Sequence, residues 1–224
     1  MENKVKLGNR MVRGVIFDMD GLMFDTERIY IRAEEMTGAE FGIDIHALPD
    51  LMGVSEHEGE GIYKKCFGEH FDYGKYRARK VEILGEDIET NGLQKKPGLD
   101  EILAFLREQG IPIALATASD RTLAGDYLKR ADVAEYFQAV VCGDMVEKGK
   151  PDPEIFLKAA ELLGTKPQET LVLEDSYNGI RAAHRGGFIG CMVPDTQEPT
   201  KEMQKIAFRV FESLFDVVRC MEKS

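Results

Sequence analysis

Short apolar runs alternate with stretches of helical periodicity from about residue 97 onward. We predict strands at residues 111–116, 139–142, 171–175 and 188–193, with a helix between each pair. Strands that are buried on both faces appear in a sequence as continuous apolar runs of this kind. The alternation therefore predicts an α/β fold, in which a Rossmann-like parallel sheet is covered by helices on both faces.

Residues 26–93 break this alternation, because they contain no convincing strand. Apolar spacing and a candidate capping box predict three helices instead. We therefore expect a catalytic core domain of residues 1–25 and 94–224 and an inserted all-helical cap domain of residues 26–93. Such a cap would lie over the cleft, or it would be a purely structural subdomain. Ile29, Ala33 and Met36 are the apolar positions that predict the first helix. Ser55 and Glu58 are the candidate capping box of the second, and Val81, Leu84 and Ile88 predict the third.

The first strand of the sheet ends in two aspartates, Asp18 and Asp20, and Gly21 follows them. Glycine permits a sharp turn at this point. Two carboxylates so close together repel each other unless a cation lies between them, and Mg²⁺ prefers oxygen ligands. The pattern is also typical of a solvated turn. The residues alone leave both interpretations open.

Two further strand ends carry polar groups. Thr117, Ala118 and Ser119 follow the strand at residues 111–116, where a hydroxyl and backbone N–H groups could hold phosphate oxygens. Ser119 or Asp120 could equally be the N-cap of the next helix. Glu174 and Asp175 end another apolar strand. Burial of two acids is costly unless they bind something, such as a metal shared with Asp18.

Lys150 is the candidate cation for an anionic ligand at these strand ends. It precedes Pro151, which disfavours helix at the lysine, so Lys150 would lie on a stiff approach to the helix that begins near Pro153. Lys148 is the alternative candidate for this cation, but it lacks the rigid backbone setting of Lys150. Asn178, at the start of the helix after Asp175, could orient the acids.

Charge and composition exclude several classes of protein. A net charge of −11 argues against binding to nucleic acid or to an anionic membrane, and no apolar run approaches the length of a membrane span. The four cysteines show no paired spacing, which predicts free thiols and a cytoplasmic protein.

The order of these motifs resembles that of the haloacid dehalogenase-like phosphatases, and the resemblance covers nearly the whole chain. The sequences Phe-Asp-Met-Asp-Gly-Leu at residues 17–22 and Gly-Lys-Pro-Asp-Pro-Glu-Ile-Phe at residues 149–156 are most similar to the branch of β-phosphoglucomutases and sugar-phosphate phosphatases. The resemblance implies a Mg²⁺-dependent phosphatase of a small phosphorylated metabolite, a sugar phosphate or a nucleotide-like monophosphate.

The resemblance also implies a role for each motif. Asp18 would be the nucleophile, and Asp20 the acid and base. Mg²⁺ would be held by Asp18, the backbone carbonyl of Asp20 and Asp175, with help from Glu174. The phosphoryl group would be bound by Thr117, Ala118 and Lys150. The expected supporting residues are Gly21, Asp25, Thr26, Ser119 and Asn178.

Two positions bear on the choice between phosphatase and mutase. The mutase has a histidine and a phosphate-gripping arginine where this chain has Tyr30 and Glu56. A glutamate would repel a second phosphate, so we favour the phosphatase and keep a phosphohexomutase as the alternative. A non-catalytic binding protein on the same fold is a third hypothesis. For the oligomeric state, we expect a monomer or a small homo-oligomer.

Overall fold

The computed structural model describes residues 4–49, 51, 52, 54 and 56–223, and at Glu56 and His57 it describes the backbone alone. The strands in this part of the chain are β1 (Val5–Leu7), β2 (Arg10–Val12), β3 (Gly14–Phe17), β4 (Ile113–Thr117), β5 (Ala139–Cys142), β6 (Thr170–Glu174), β7 (Ile189–Met192) and β8 (Arg209–Val210). The helices are α1 (Glu27–Phe41), α2 (Glu56–Phe67), α3 (Tyr73–Asn91), α4 (Leu99–Glu108), α5 (Arg121–Arg130), α6 (Glu154–Leu163), α7 (Tyr177–Arg185), α8 (Lys201–Ile206) and α9 (Leu214–Glu222). Short 3-10 turns lie at Ile45–Ala47, Ala134–Tyr136, Gly143–Met145 and Pro167–Glu169.

Six of these strands form one parallel sheet, in the order β5-β4-β3-β6-β7-β8. Every residue of β3, β4 and β6 is buried. Alternate side chains of these strands enter separate cores on the two faces, with Phe17 on one face and Ile16 on the other. The predicted α/β fold with a parallel sheet is confirmed.

The predicted elements of this sheet lie close to the observed ones. The strand predicted at residues 139–142 has those bounds, and the helix that begins near Pro153 is observed as α6. The strand predicted at 111–116 begins two residues later, at Ile113. The sequence patterns predicted neither the β1–β2 hairpin nor the elements after residue 193.

Residues 27–91 form three α-helices, and their described part contains no strand. Ala33 of α1 packs against Ile83 and Leu84 of α3. The face predicted for α1 is partly wrong, because Met36 is exposed, while the neighbouring Thr37 and Gly38 are buried. The capping box predicted for α2 depends on Ser55, which lies outside the described residues.

The chain leaves the sheet for these helices and returns from them along adjacent paths. The backbone N–H of Asp25 donates to the carbonyl of Gln94 at 2.9 Å, and that of Lys96 donates to the carbonyl of Met23 at 2.8 Å. Both paths run beside the end of β3. The exact division into a core domain and a cap domain of residues 26–93 stays a prediction.

Two expectations from composition can be compared with the described residues. None of their helices is both long and apolar enough to cross a membrane. The cysteines are free thiols, with Cys142 and Cys191 buried and Cys66 exposed.

Candidate active site

Three neighbouring strands bring their carboxyl ends together at one edge of the sheet. Because β3 lies between β4 and β6, Asp18 directly after β3 has Thr117 at the end of β4 on one side. Glu174 at the end of β6 lies on its other side. All three side chains are buried. Clefts at such strand ends are the usual ligand sites of open α/β sheets.

Lys150 reaches this edge from the loop before α6. Its ammonium donates to Asp18, to Glu174 Oε1 at 2.7 Å and to the carbonyl of Ala116 at 3.2 Å. Only 2% of the residue is exposed. Burial alone would lower the pKa of Lys150, but the carboxylates of Asp18 and Glu174 outweigh it and raise the pKa. The lysine is therefore a fixed positive charge between two acids.

Glu174 is held firmly in place. Its Oε2 accepts from the backbone N–H of Ser176 at 2.7 Å and from the Ser176 hydroxyl at 2.9 Å. A side chain at Gly179 would collide with this carboxylate, so a glycine is required there. Both oxygens of Glu174 thus have protein partners, and the residue braces Lys150. Its predicted help to a metal stays a prediction.

Two hydroxyl groups aim the carboxylate of Asp20. Thr26 Oγ1 donates to Asp20 Oδ1 at 2.7 Å, and Ser119 Oγ donates to Asp20 Oδ2 at 2.9 Å. Burial raises the pKa of Asp20, and these two hydrogen bonds oppose the rise. Thr26 directly precedes α1, so the start of the helical segment is tied to the acid. The structure therefore brings the predicted residues Thr26 and Ser119 to Asp20.

In their ionised forms, the acids near β3 would carry more negative charge than Lys150 offsets. Burial raises the pKa of Asp18 to about 8; Lys150 opposes the rise, and Glu174 adds to it. The pKa of Asp175 is also well above its usual range, first through burial and then through Glu174 and Asp18. Asp175 Oδ2 is buried and has no hydrogen-bond partner. Ionisation of all these acids would require a further cation.

The donor set fits a hard divalent cation such as Mg²⁺. Asp18 and the unpartnered oxygen of Asp175 are carboxylate ligands of the kind Mg²⁺ prefers. No group of three or more His, Cys, Asp or Glu side chains in the described chain is arranged as a metal site. A metal held by these two carboxylates could complete its coordination with backbone carbonyls and with water, which Mg²⁺ commonly retains.

Gly21 permits the close approach of the turn to Asp175. It has a φ of +78°, and a Cβ there would collide with Asp175 Oδ2 and with the side chain of Glu27. A side chain at position 21 would therefore strain the backbone and displace a carboxylate of the site. This close approach explains why position 21, predicted to support the site, is a glycine.

The loop after β4 is tightly built. Thr117 Oγ1 accepts from the backbone N–H of Ser119 at 3.1 Å. The neighbouring Ala118 packs against Gly143, where a Cβ would collide with the Ala118 carbonyl. Asp120 caps α5 by accepting from the N–H groups of Thr122 and Leu123. The predicted N-cap role therefore falls to Asp120, which leaves the Ser119 hydroxyl on Asp20.

Two predicted supporting residues lie elsewhere than expected. Asn178 does not orient the acids: its Nδ2 donates to the carbonyl of Met52 at 3.0 Å, and its Oδ1 accepts from Arg181. Ser176 and Gly179 surround Glu174 instead. Asp25 is outside the cleft lining, at the paired paths between the sheet and the helices. Its carboxylate oxygen Oδ1 is buried without a hydrogen-bond partner.

The strand ends and the helices of residues 27–91 enclose a cleft of about 290 Å³. Its sheet wall is polar, whereas its helical wall is mostly apolar and aromatic. The sequence patterns did not indicate four polar residues of this lining, Glu27, Glu34, Lys80 and Ser176. Ser176 had a detectable signal, since serine before a helix is a common N-cap. The lining residues of the helical wall include Ile31, Glu34, Ile45, Leu48, Leu51, Tyr63, Tyr73 and Lys80.

Tyr30 also lines the cleft, next to Asp20. Burial raises the pKa of Tyr30 well above its usual range, and the charge of Asp20 and the nearby Tyr127 add to the rise. Tyr30 is therefore a neutral phenol, unlike the titratable histidine expected at this position in the mutase. The side chain of Glu56, the second position of that comparison, lies outside the described residues.

Residues 15–193 match the haloacid dehalogenase-like hydrolase family. The chain belongs to this family. A phosphorylated carbohydrates phosphatase of Thermotoga maritima is 37% identical over 79% of this chain and 82% of its own length. A Drosophila melanogaster protein named as a probable pseudouridine-5'-phosphatase is 34% identical over 96% of this chain and 94% of its own. These relatives confirm the predicted phosphoric monoester hydrolase.

Solved structures of the family share the whole architecture. A Thermotoga maritima crystal structure described as that of a candidate β-phosphoglucomutase aligns with a TM-score of 0.72 and 30% identity. The alignment covers 95% of this chain and 99% of the other. The resemblance predicted from the motifs thus extends to the fold of nearly the whole chain.

Proposed function

We propose that this protein is a Mg²⁺-dependent phosphatase of small phosphorylated metabolites that works through an aspartyl-phosphate on Asp18. The observation that carries the proposal is the pairing of Asp18 with the buried Lys150, beside Asp175 with its unpartnered oxygen. A carboxylate next to a fixed ammonium can approach a phosphate dianion, because the ammonium offsets the charge repulsion. The buried acids, once ionised, require a divalent cation to balance their charge. Sugar phosphates and nucleotide-like monophosphates are the expected substrates, since relatives are named for both kinds.

Asp18 begins the reaction. One of its carboxylate oxygens forms a bond to phosphorus as the bond from phosphorus to the leaving oxygen breaks. Asp20 gives its proton to that leaving oxygen, so the metabolite departs as a neutral alcohol. Burial favours the protonated form of Asp20 that this step needs. The product on the enzyme is an acyl phosphate at Asp18.

The second half of the reaction regenerates the enzyme. Asp20, now ionised, takes a proton from water as the water oxygen bonds to phosphorus. The bond from phosphorus to Asp18 then breaks, which releases inorganic phosphate and restores both aspartates. Covalent capture thus divides one difficult displacement into two easier ones.

Lys150 and the loop after β4 hold the transferred group. The ammonium of Lys150 offsets the charge on the phosphoryl oxygens, while Thr117 and the backbone after it, at Ala118, bind and orient them. Mg²⁺, held by Asp18, Asp175 and the backbone carbonyl of Asp20, would supply further charge neutralisation at the phosphoryl group. The helical wall excludes bulk water from the acyl phosphate.

A phosphohexomutase is the second candidate, because the Thermotoga maritima structure is described as a candidate β-phosphoglucomutase. That reaction needs a second phosphate held by the cap while the first is transferred. Tyr30, a neutral phenol, lies beside Asp20 where the mutase is expected to have a titratable histidine, and this difference favours the phosphatase. Interconversion of hexose 1- and 6-phosphates, stimulated by a hexose bisphosphate, would decide for the mutase.

The decisive experiment is phosphate release from a panel of sugar and nucleoside monophosphates. We expect turnover with Mg²⁺, loss of turnover with a chelator, and recovery when Mg²⁺ is restored. Acid quenching during turnover of radiolabelled substrate should trap a protein-bound label that hydroxylamine removes, as expected of an acyl phosphate. Folded, Mg²⁺-supplemented protein that hydrolyses no substrate of the panel would contradict the proposal.

The natural setting of this activity stays a set of predictions. We expect a cytoplasmic enzyme, a monomer or a small homo-oligomer, that acts on a free metabolite and binds neither nucleic acid nor membranes.

A further inference from the structure

Glu34 is a charged residue on the otherwise mostly apolar helical wall of the cleft. It lies on α1, lines the same cleft as Asp18 and Asp20, and has a side chain that is 20% exposed. The other residues of this wall are mostly aliphatic or aromatic, such as Ile31, Leu48 and Tyr73. A carboxylate on an apolar pocket wall is costly without partners of its own.

Tyrosines from the two other helices of this wall anchor one oxygen of Glu34. The hydroxyl groups of Tyr63 on α2 and Tyr76 on α3 both donate to Oε1, the second at 2.6 Å. Burial, with the nearby carboxylate of Glu34, raises the pKa of both tyrosines, so they stay donors. The carboxylate therefore has a fixed orientation.

The second oxygen of Glu34 is bound less tightly. Oε2 lies 3.2 Å from the ammonium of Lys80, which also lines the cleft and is 13% exposed. Each carboxylate oxygen can accept more than one hydrogen bond, and an ammonium has three donors. The pair thus offers an acceptor and a donor to a ligand, side by side.

We propose that Glu34 is a specificity-determining residue, which accepts a hydrogen bond from a hydroxyl of the leaving group while Lys80 donates to the same or an adjacent hydroxyl. The inference rests on the proposed phosphatase function and assigns recognition of the substrate's hydroxyl groups to Glu34 and Lys80. A hydroxyl both donates and accepts, so one hydroxyl or a vicinal pair can satisfy both members of the ion pair.

The same pair disfavours substrates with a second anionic group. Among the described residues that line the cleft, Lys80 is the cation on the helical wall, and Glu34 already binds it. A second phosphate or a carboxylate there would face Glu34 without a free positive charge to offset it. Substrates without hydroxyls would leave the pair buried and unsolvated, which also costs free energy.

The test compares two substrates in two variants of α1. Glu34→Gln keeps the size of the side chain but replaces the charged acceptor by an amide. Glu40→Gln is the matched control, because Glu40 lies on the same helix and pairs with Arg79 away from the cleft. The substrates are a hexitol phosphate and p-nitrophenyl phosphate, whose leaving group carries no hydroxyl apart from the ester oxygen.

We expect Glu34→Gln to lower the ratio of kcat/KM for the hexitol phosphate over p-nitrophenyl phosphate by about 10- to 100-fold. Glu40→Gln should leave that ratio within about twofold of the wild type. A ratio that stays the same in Glu34→Gln, whether both activities are kept or both fall together, would overturn the role of Glu34.

A series on the wild-type enzyme keeps the inference testable if Glu34→Gln does not fold. Deoxy analogues of the best sugar phosphate should lose kcat/KM when the hydroxyl that meets Glu34 is removed. Equal kcat/KM throughout the series, or a preference for bisphosphates, would overturn the inference while leaving the phosphatase intact. Absence of any phosphate release by the wild type would instead contradict the proposed function itself.

Discussion

The two walls of the cleft differ in nearly every physical property. The sheet wall is made of buried charges held by short hydrogen bonds, as at Lys150 and Glu174. The helical wall is mostly apolar and aromatic, and in it Tyr63 packs against Tyr73 and Tyr76. The sheet wall comes from strand ends that cannot move without disturbing the core. The helical wall belongs to a separate segment of chain that meets the sheet through two adjacent paths.

This difference indicates that the two walls have different functions: the sheet wall carries out the chemistry, and the helical wall selects the leaving group. Chemistry on a phosphoryl group needs charges at fixed positions, and a parallel sheet supplies them. Selection of a leaving group needs a surface whose shape can vary without disturbing those charges. Substitutions in the sheet wall should therefore affect all substrates alike, whereas substitutions in the helical wall should affect substrates differently.

The largest expected effect is that of Asp18→Asn. Loss of the nucleophile should reduce kcat by about four powers of ten or more for every substrate, by analogy with nucleophile deletions in other covalent enzymes. Steady-state phosphate release and acid-quench labelling would measure the loss. Asp126→Asn on the exposed part of α5 is the control, with full activity expected. Substantial turnover by folded Asp18→Asn would exclude the covalent route.

A smaller but still uniform effect is expected of Lys150→Gln. It should cost about 2–3 powers of ten in kcat/KM, because one cation on the transferred group is lost. It should also lower the melting temperature, since Asp18 and Glu174 would be left buried without their shared partner. Lys148→Gln, an exposed neighbour, should change neither quantity. Unequal losses among substrates would argue that Lys150 contacts the leaving group.

The smallest effect should come from Leu48→Ala on the helical wall. Removal of this apolar side chain should change KM by about 3- to 10-fold for substrates that fill the space and less for smaller ones. Comparison of KM across the substrate panel would show the spread. Leu162→Ala, exposed on α6 and outside the cleft lining, should leave every KM unchanged. A fall in kcat for Leu48→Ala that is equal for all substrates would contradict the proposed difference in function between the two walls.

Much of the sheet and its charged edge could be predicted from the sequence. A strand buried on both faces has no solvated side, so its interior residues are apolar, as at residues 113–116 of β4 and 171–173 of β6. Polar residues directly after such a strand, such as Asp18 and Asp175, must then lie at the sheet edge. Local patterns of this kind survive in any context.

The terminal elements could not be predicted, because their signals are short. The β1–β2 hairpin has strands of three residues each, and β8 has two. Their stability comes from packing on the rest of the fold: Leu7 and Val12 belong to the main core. Tertiary contacts decide such elements, since local propensity over two or three residues is too weak to do so.

The sequence by itself determined the parallel sheet, the acids and hydroxyls at its strand ends, and the position of a cationic lysine before α6. Each follows from burial of strands or from the stiffness of proline. Only the tertiary structure decided that Lys150 bridges Asp18 and Glu174, that Thr26 and Ser119 aim Asp20, and that Glu34 meets Lys80 across the helical wall. These contacts join residues from different elements, often far apart in the chain, so no local pattern specifies their distances.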